Sequence, residues 1–355
     1  MPEALKPLLR RKLAAWYRAH ARDLPWRRTK DPYAIWLSEV MLQQTRIDQG
    51  LPYYQRFIRT LPTVQALAEA SEDDVLKLWE GLGYYGRARN LLKAARFIVS
   101  QRGGDLPTTA AGWQALPGVG PYTAGAVASI AFGEAVPVLD GNVIRVLSRL
   151  FDIDACVDDA AGKRLLWQTA RELLPARRPG DFNQALMELG ACVCLPDQPA
   201  CTDCPLAAHC EACRKGIQQQ RPVRKSKRAA PHREVVVAAI RNGGRYLIGK
   251  RLSQGLLGGL WEFPGGQVRA GESHEHALRR ELQKELGIEV KVGGLLAVVD
   301  HAYTHFKVTL NVYVCESVGG TPESRNHSEL RWVAPEDFHV YAFPGANRKF
   351  MPLLK

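Results

Sequence analysis

Two carboxylates in contrasting surroundings are the first residues in this sequence that could do chemistry. Glu39 lies within a helical run whose neighbours Ile35, Trp36, Val40 and Leu42 are apolar. Partial burial disfavours its charged form, so its pKa should rise and it suits the role of proton donor. Asp140 stands directly before Gly141-Asn142 and another helical run, a helix N-terminal position that favours the anion and should lower its pKa. A pair pushed apart in this way is what cleavage of a glycosidic bond demands. One group protonates the leaving group while the other, ionised, steadies a sugar cation. On residue type alone, Asp140 could equally be a helix cap and Glu39 an exposed helical glutamate.

Four of the eight cysteines form the run Cys194-x6-Cys201-x2-Cys204-x5-Cys210. Four thiolates in so short a loop suit either tetrahedral zinc or a [4Fe–4S] cluster, and spacing leaves both open. Cys192 and Cys213 lie nearby but fall outside the pattern, while Cys156 and Cys315 read as buried thiols. A third feature is Leu116-Pro117-Gly118-Val119-Gly120 between two helical runs. Gly118 and Gly120 free the backbone to bring N–H groups to an external anion, and the following helix adds the positive end of its dipole. Such a site would hold phosphate without reading sequence. A glycine-rich helix connection that binds nothing has the same composition.

The elements that must position these residues follow from periodicity. Residues 1–213 show helical spacing throughout, as in Tyr33–Thr45, Val75–Leu82, Arg87–Val99, Tyr122–Ala131, Val143–Leu150 and Lys163–Leu174. Leu5, Leu9, Leu13 and Trp16 give an amphipathic N-terminal helix, and Arg10, Arg11 and Lys12 within it exclude the apolar core of a signal peptide. After residue 233 the pattern changes to the β-branched runs Val235–Ile240, Tyr246–Ile248 and Val308–Val314, with one helix at His274–Leu286. Val308, Leu310, Val312 and Val314 alternate onto one face. The expected order is therefore an all-α part, a linker over 214–233, and an α+β part over 234–355.

Composition supports a globular protein, with 46% hydrophobic and 24% charged residues. No apolar run spans a bilayer, since Glu134 breaks the longest candidate, Ala124–Leu139. The expected location is the cytoplasm, where eight cysteines would not pair as disulfides. Net charge is +12, and 8 basic residues with no acidic one lie in Arg214–Arg233. That stretch reads as a solvated linker that favours a polyanion or serves solubility alone.

Twenty residues after Gly120 comes Val138-Leu139-Asp140-Gly141-Asn142, following Gly133 and Pro137. Hairpin, loop and aspartate together resemble the helix-hairpin-helix DNA glycosylase superfamily. Leu24-Pro25-Trp26, Ser38-Glu39-Val40-Met41-Leu42-Gln43-Gln44-Thr45, Gly81-Leu82-Gly83-Tyr84-Tyr85 and Phe182-Asn183-Gln184 narrow the resemblance to the MutY adenine glycosylase family. These blocks span nearly all of residues 20–215.

The resemblance implies double-stranded DNA carrying adenine opposite 8-oxoguanine or guanine as substrate, and a nucleoid-associated enzyme acting as a monomer. It implies that Glu39 protonates adenine at N7 and later activates water. Asp140 would stabilise the oxocarbenium ion, with Tyr122 and Asn142 in support. Adenine must be flipped from the duplex. Gln44 and Tyr84 would intercalate, while Trp26, Arg27 and Gln184 would line the adenine pocket. Gly118 and Gly120 would hold the DNA backbone. Relatives that also cut the strand place a lysine just after the hairpin, as a Schiff-base nucleophile. Here Gly120-Pro121-Tyr122 stands instead, and Ile144 and Arg145 replace a second lysine, so base removal without strand cleavage is expected. The resemblance also assigns Cys194, Cys201, Cys204 and Cys210 to a [4Fe–4S] cluster rather than zinc.

In the last part, Gly266-x5-Glu272-x7-Arg280-Glu281-Leu282-x-Lys284-Glu285-x-Gly287-Ile288 resembles the Nudix box of MutT pyrophosphatases, which binds magnesium through carboxylates. Lys284 stands where a metal-binding glutamate is expected, and Glu281 and Glu285 could be surface charges on the helix. A recognition fold without hydrolysis is expected, with Tyr303-Thr304-His305 in the family's 8-oxoguanine-reading loop and Thr304 keeping the hydroxyl donor. A repair protein could dock at the linker. A magnesium-dependent nucleotide pyrophosphatase, a DNA-binding protein without catalysis, and a thymine-glycol-type glycosylase with lyase activity are the competing readings. Lys284 opposes the first, the Glu39–Asp140 pair the second, and Tyr122 the third.

Overall fold

The computed structural model describes residues 3–226 and 230–355. By contacts the chain falls into two compact units, one of residues 1–54, 58–68 and 93–227 and one of 55–57, 69–92 and 228–355. Residues 69–92, expected within the helical part, group by contact with the C-terminal residues.

The first unit is helical. Its centre is the helix Pro121–Ala131, in which every residue from Thr123 to Ile130 is buried. So many small residues (four alanines and Gly125 among its 11) let its neighbours approach closely. Helices Pro32–Met41, Ala110–Gln114 and Pro179–Cys192 pack against it. Trp36 and Trp113 meet there with ring centroids 5.4 Å apart, and both are fully buried. The N-terminal helix Leu5–His20 buries Leu9 and Leu13, the two positions that its periodicity singles out.

Helix starts follow local capping chemistry. Asp31 accepts from the Tyr33 N–H at 3.0 Å and opens Pro32–Met41, with Pro32 at a position whose missing N–H costs nothing. The expected helix Tyr33–Thr45 ends early, at Met41, and a turn over residues 42–45 follows. Gln44 adopts a positive φ of 56° in that turn, so apolar periodicity overran the true boundary.

Between helices Ala110–Gln114 and Pro121–Ala131, Gly118 takes φ +73°, the left-handed conformation for which glycine carries no Cβ penalty. Gly120 is extended (φ −86°, ψ 173°), and an added Cβ there would meet nothing within 4 Å.

The basic stretch after residue 213 is not a freely solvated linker over its described part. Lys215 and Arg221 pair with Asp152 at 2.6 and 2.8 Å, Arg224 with Asp158 at 3.2 Å, and Lys225 with Asp159 at 2.6 Å. The Val157 N–H also donates to the Val223 carbonyl at 2.9 Å. Charge counting missed this because the neutralising aspartates lie about 60 residues upstream. The remainder of the expected linker includes residues 227–229, which lie outside the described residues.

The second unit holds one seven-stranded sheet. Its strands are β1 (His232–Asn242), β2 (Arg245–Arg251), β3 (Trp261–Glu262), β4 (Gly265–Gln267), β5 (Glu289–Ala302), β6 (Lys307–Gly319) and β7 (His327–Val333). The main path runs β3-β2-β1-β6-β5, with β4 on β1 and β7 on β2. β1 and β6 run parallel and the other pairs are antiparallel.

Alternation divides the buried residues between two faces. Val308, Leu310 and Val312 join Trp261, Phe263, Phe343 and Phe350 in one cluster. Val236, Ala238 and Ile240 join Leu278, Leu282 and Leu286 of helix His274–Leu286 in the other. Ser273 caps that helix and Gly287, at φ +67°, ends it.

Candidate active site and cysteine cavity

Glu39 emerges from the buried helix Pro32–Met41 and is itself 7% exposed. The hydroxyl of Tyr122, second residue of Pro121–Ala131, donates to Glu39 Oε2 at 2.5 Å. Burial pushes the Glu39 carboxyl up to about 7, the Tyr122 hydrogen bond holds it down in part, and the Asp140 carboxylate adds to the rise. The same burial, with both carboxylates near, raises the Tyr122 phenol well above its ordinary value, so it stays a donor. The hydroxyl also lies 3.3 Å from Met187 Sδ. Next to Tyr122, Thr123 accepts from Gln43 Nε2 at 2.9 Å, which ties the segment after Glu39 to the same helix.

Asp140 is the N-cap of Gly141–Leu150. It accepts from the Val143 N–H at 2.7 Å and from Asn142 Nδ2 at 2.9 Å. Capping and catalysis therefore need not be alternatives. The expected lowering of its pKa is corrected: burial dominates and pushes the carboxyl up, against the Val143 and Asn142 hydrogen bonds and the Arg145 charge. The helix terminus supplied the favourable terms, but sequence could not show how dry the site is.

Asn142 is held in turn. Arg145 Nη2 donates to Asn142 Oδ1 at 2.9 Å and to the Gly190 carbonyl at 2.7 Å, and Arg145 Nε donates to the Cys194 carbonyl at 2.6 Å. Gly190 is needed for this approach, since a Cβ there would lie 2.5 Å from Asn142 Cβ.

Of the proposed pocket residues, Trp26 is buried and packs edge-on against Tyr54 at 5.0 Å. Gln184 is buried on helix Pro179–Cys192. Arg27 donates to Glu188 Oε2 at 2.7 Å and to the Arg22 carbonyl at 2.9 Å, while Arg22 forks onto both oxygens of Glu188 at 2.8 and 2.7 Å. Glu188, 1% exposed and held down at about 2, was not singled out from the sequence. Only its position one helical turn beyond Gln184 hinted at the site.

Glu39, Tyr122, Asp140 and Asn142 thus converge in the first unit. Tyr84 belongs to the second. Its φ of 49° turns it out of the chain, whereas Tyr85 is buried and its hydroxyl accepts the Gly81 N–H at 3.1 Å. The Tyr84 hydroxyl donates to Thr304 Oγ1 at 2.7 Å, with His305 edge-on to the Tyr84 ring at 6.5 Å. Two residues 220 positions apart that were assigned separate roles therefore touch.

Cys194, Cys201, Cys204 and Cys210 line one cavity of about 300 Å3, measured with its open mouth, together with Arg149, Cys213 and Gln218. Arg149, 2% exposed, donates to the Leu195 and Pro196 carbonyls at 2.6 Å each and to Cys194 Sγ at 3.4 Å. Among the described residues no three His, Cys, Asp or Glu side chains converge closely enough to hold a single metal ion. Four thiols lining one cavity have the donor chemistry that either an iron–sulfur cluster or zinc requires.

In the second unit, Arg280 forks onto Glu272 at 2.7 Å to each oxygen and also meets Glu281, which Lys284 contacts at 3.2 Å. Glu281 and Glu285 are not surface charges: they are 7% and 8% exposed. Arg280 and Lys284 both pair with Glu281, while the Oε2 of Glu285 is buried without a hydrogen-bond partner.

Two family models match the chain, and the first includes residues 55–57 and 69–92, which group by contact with the second unit. Residues 37–172 match the model of the HhH-GPD superfamily base excision DNA repair protein, and residues 236–353 match a NUDIX domain. The human adenine DNA glycosylase is 38% identical over 394 residues, covering 95% of this chain and 72% of its own length. The Buchnera aphidicola (Acyrthosiphon pisum) adenine DNA glycosylase is 33% identical, covering 83% of each chain. Among solved structures, a thermostable thymine-DNA glycosylase matches with TM-score 0.55 and 29% identity, over 59% of this chain and 97% of that one. An endonuclease III–DNA complex has a similar fold, with TM-score 0.53 at 21% identity over 61% of this chain and 99% of that one.

Proposed function

The chain belongs to the adenine DNA glycosylases, N-glycosyl hydrolases of base excision repair, and from that premise we propose how its residues act and on which mispair. The substrate is duplex DNA with adenine opposite 8-oxoguanine or guanine. The observation that carries the mechanism is the short Tyr122–Glu39 contact beside a capped Asp140. Glu39, raised to about 7, is protonated at the start of the reaction. It gives its proton to adenine N7 as the C1′–N9 bond breaks, so the base leaves neutral. Asp140, bound by one N–H and one amide, meets the positive charge that develops at C1′ and closes transiently on it. Glu39, now a carboxylate, takes a proton from the water that replaces adenine. No lysine stands at Tyr122 or Ile144, so no Schiff base forms and the strand stays intact.

Gln44 and Tyr84 fill the gap in the stack, Trp26, Arg27 and Gln184 bound the adenine pocket, and Gly118 and Gly120 hold backbone phosphate. Thr304 reads the opposing base. Cys194, Cys201, Cys204 and Cys210 would hold a [4Fe–4S] cluster, which would supply the thiolate–iron bonds that fold residues 194–210.

Single-turnover cleavage of a duplex with one adenine opposite 8-oxoguanine, in EDTA and with or without hot alkali, tests the reading. Breakage that needs alkali and disappears in Glu39→Gln is expected. Breakage without alkali would overturn the monofunctional assignment, and adenine release unchanged in Glu39→Gln would overturn the acid.

A further inference from the structure

The cysteine cavity has five thiols in its wall, one more than a cube of four irons needs. The fifth, Cys213, lies outside the spacing by which the other four are recognised, yet the fold returns it to them. Cys210 is the N-cap of the short helix Glu211–Lys215 and Cys213 stands three residues on, so both face the same side. The Cys213 N–H reaches Cys210 Sγ, and the Cys213 side chain is hydrogen-bonded to Cys201 and Gln218. Gln218 Nε2 in turn donates to Cys201 Sγ at 3.6 Å. Cys213 and Cys201 thus share one corner of the cavity and one polar neighbour. Cys192, by contrast, is exposed and stands beside Glu188 and Arg22, away from the other thiols.

Resting on the reading that this cavity holds a [4Fe–4S] cluster, we propose that Cys213 is a reserve ligand that takes over the iron of Cys201 when that thiolate is lost. The exchange is neutral in electrons. The bond from iron to Cys201 sulfur breaks, the bond from iron to Cys213 sulfur forms, and the proton leaving Cys213 passes to Cys201. In a chain without Cys201 the proton goes to solvent instead. Cys213 also lies beside Cys210 through its N–H, but its side chain is hydrogen-bonded to Cys201. The arrangement would let the loop keep its cluster when Cys201 is protonated off the iron or replaced.

The test compares the full chain with C201A, C213A, C201A/C213A and C204A, by iron per chain and by thiolate-to-iron charge-transfer absorption. The natural chain, C213A and C201A should each carry about four irons. C201A/C213A and C204A should lose iron by about tenfold or more. A C201A protein that is as iron-free or as insoluble as C204A would overturn the proposal. So would a C213A protein that loses its cluster alone, because Cys213 would then be a primary ligand. An iron-free natural chain would instead remove the cluster reading itself, so the two failures are distinguishable.

Discussion

At the scale of single residues, the chemistry turns on how strongly burial opposes ionisation of Glu39. Its folded pKa of about 7 lies above the 4.5 of a free carboxyl. Folding therefore takes up a proton between those values, so stability falls as pH rises through that window and levels off above it. Glu39→Gln keeps the acceptor for Tyr122 and removes the ionisation, so it should stabilise the protein by about 3 kcal/mol at pH 8 and little at pH 4.5. Urea unfolding at the two pH values measures this. An equal effect at both would show that ionisation is not the source.

On the proposed mechanism the same proton sets activity. Single-turnover excision should fall by about tenfold per unit once pH exceeds the value near 7, and should fall again at acid pH, where Asp140, its pKa raised by burial, takes up a proton. Tyr122→Phe removes the hydrogen bond that holds Glu39 down, so the alkaline limb should move to higher pH while the limiting rate drops. A limb that stays in place would mean that Tyr122 does not control the acid. Sequence exposed this pair only in part, because Tyr122 is 83 residues from Glu39 and hydroxyl–carboxylate contact is a property of packing.

At the scale of elements, the site depends on how closely helices Gly141–Leu150 and Pro179–Cys192 approach. Gly190→Ala would place a methyl 2.5 Å from Asn142 Cβ, where only a shift of one helix can make room. Such overpacking costs about 1–3 kcal/mol. Because Asn142 holds Asp140, excision should slow by more than the stability loss explains. Thermal melting beside single-turnover rates separates the two effects, and a variant that melts lower but cuts at the natural rate would contradict the coupling. Arg145, which reaches Asn142, Gly190 and Cys194 at once, was legible from sequence only as a residue that is not lysine. Asn142 is a local partner three residues back on the same helix, but Gly190 and Cys194 lie 45 and 49 residues on, where no local pattern reaches.

At the scale of the whole molecule, a helical unit with the carboxylate pair is linked in one chain to a sheet unit in which Glu272 and Glu281 pair with Arg280 and Lys284, and a lysine stands where the Nudix box has a carboxylate. Adenine excision should therefore be unchanged by EDTA or added magnesium, and nucleoside triphosphate hydrolysis should be undetectable. Magnesium-dependent release of pyrophosphate would contradict this. The loop residue Thr304 should instead govern choice of the opposing base. Thr304→Ala removes one hydroxyl worth about 1 kcal/mol, so the preference for 8-oxoguanine over guanine opposite adenine should fall by roughly five- to tenfold. Competition between the two duplexes measures that ratio, and an unchanged ratio would remove Thr304 from recognition.

Sequence by itself determined the order of all-α and α+β parts, the two candidate carboxylates, the four-cysteine run and the altered Nudix box. Each of these is written in local composition: apolar period, helix-capping residues, ligand spacing, and one lysine where a carboxylate was expected. Tertiary structure alone decided that Asp140 is dry enough for its pKa to rise and that Glu281 and Glu285 are buried. It also decided that the basic stretch is pinned by distant aspartates, and that Tyr84 meets Thr304 while Cys213 joins the cavity of the other four cysteines. These depend on desolvation and on contacts between remote segments. Both are set by how helices and strands pack in three dimensions, which local patterns do not encode.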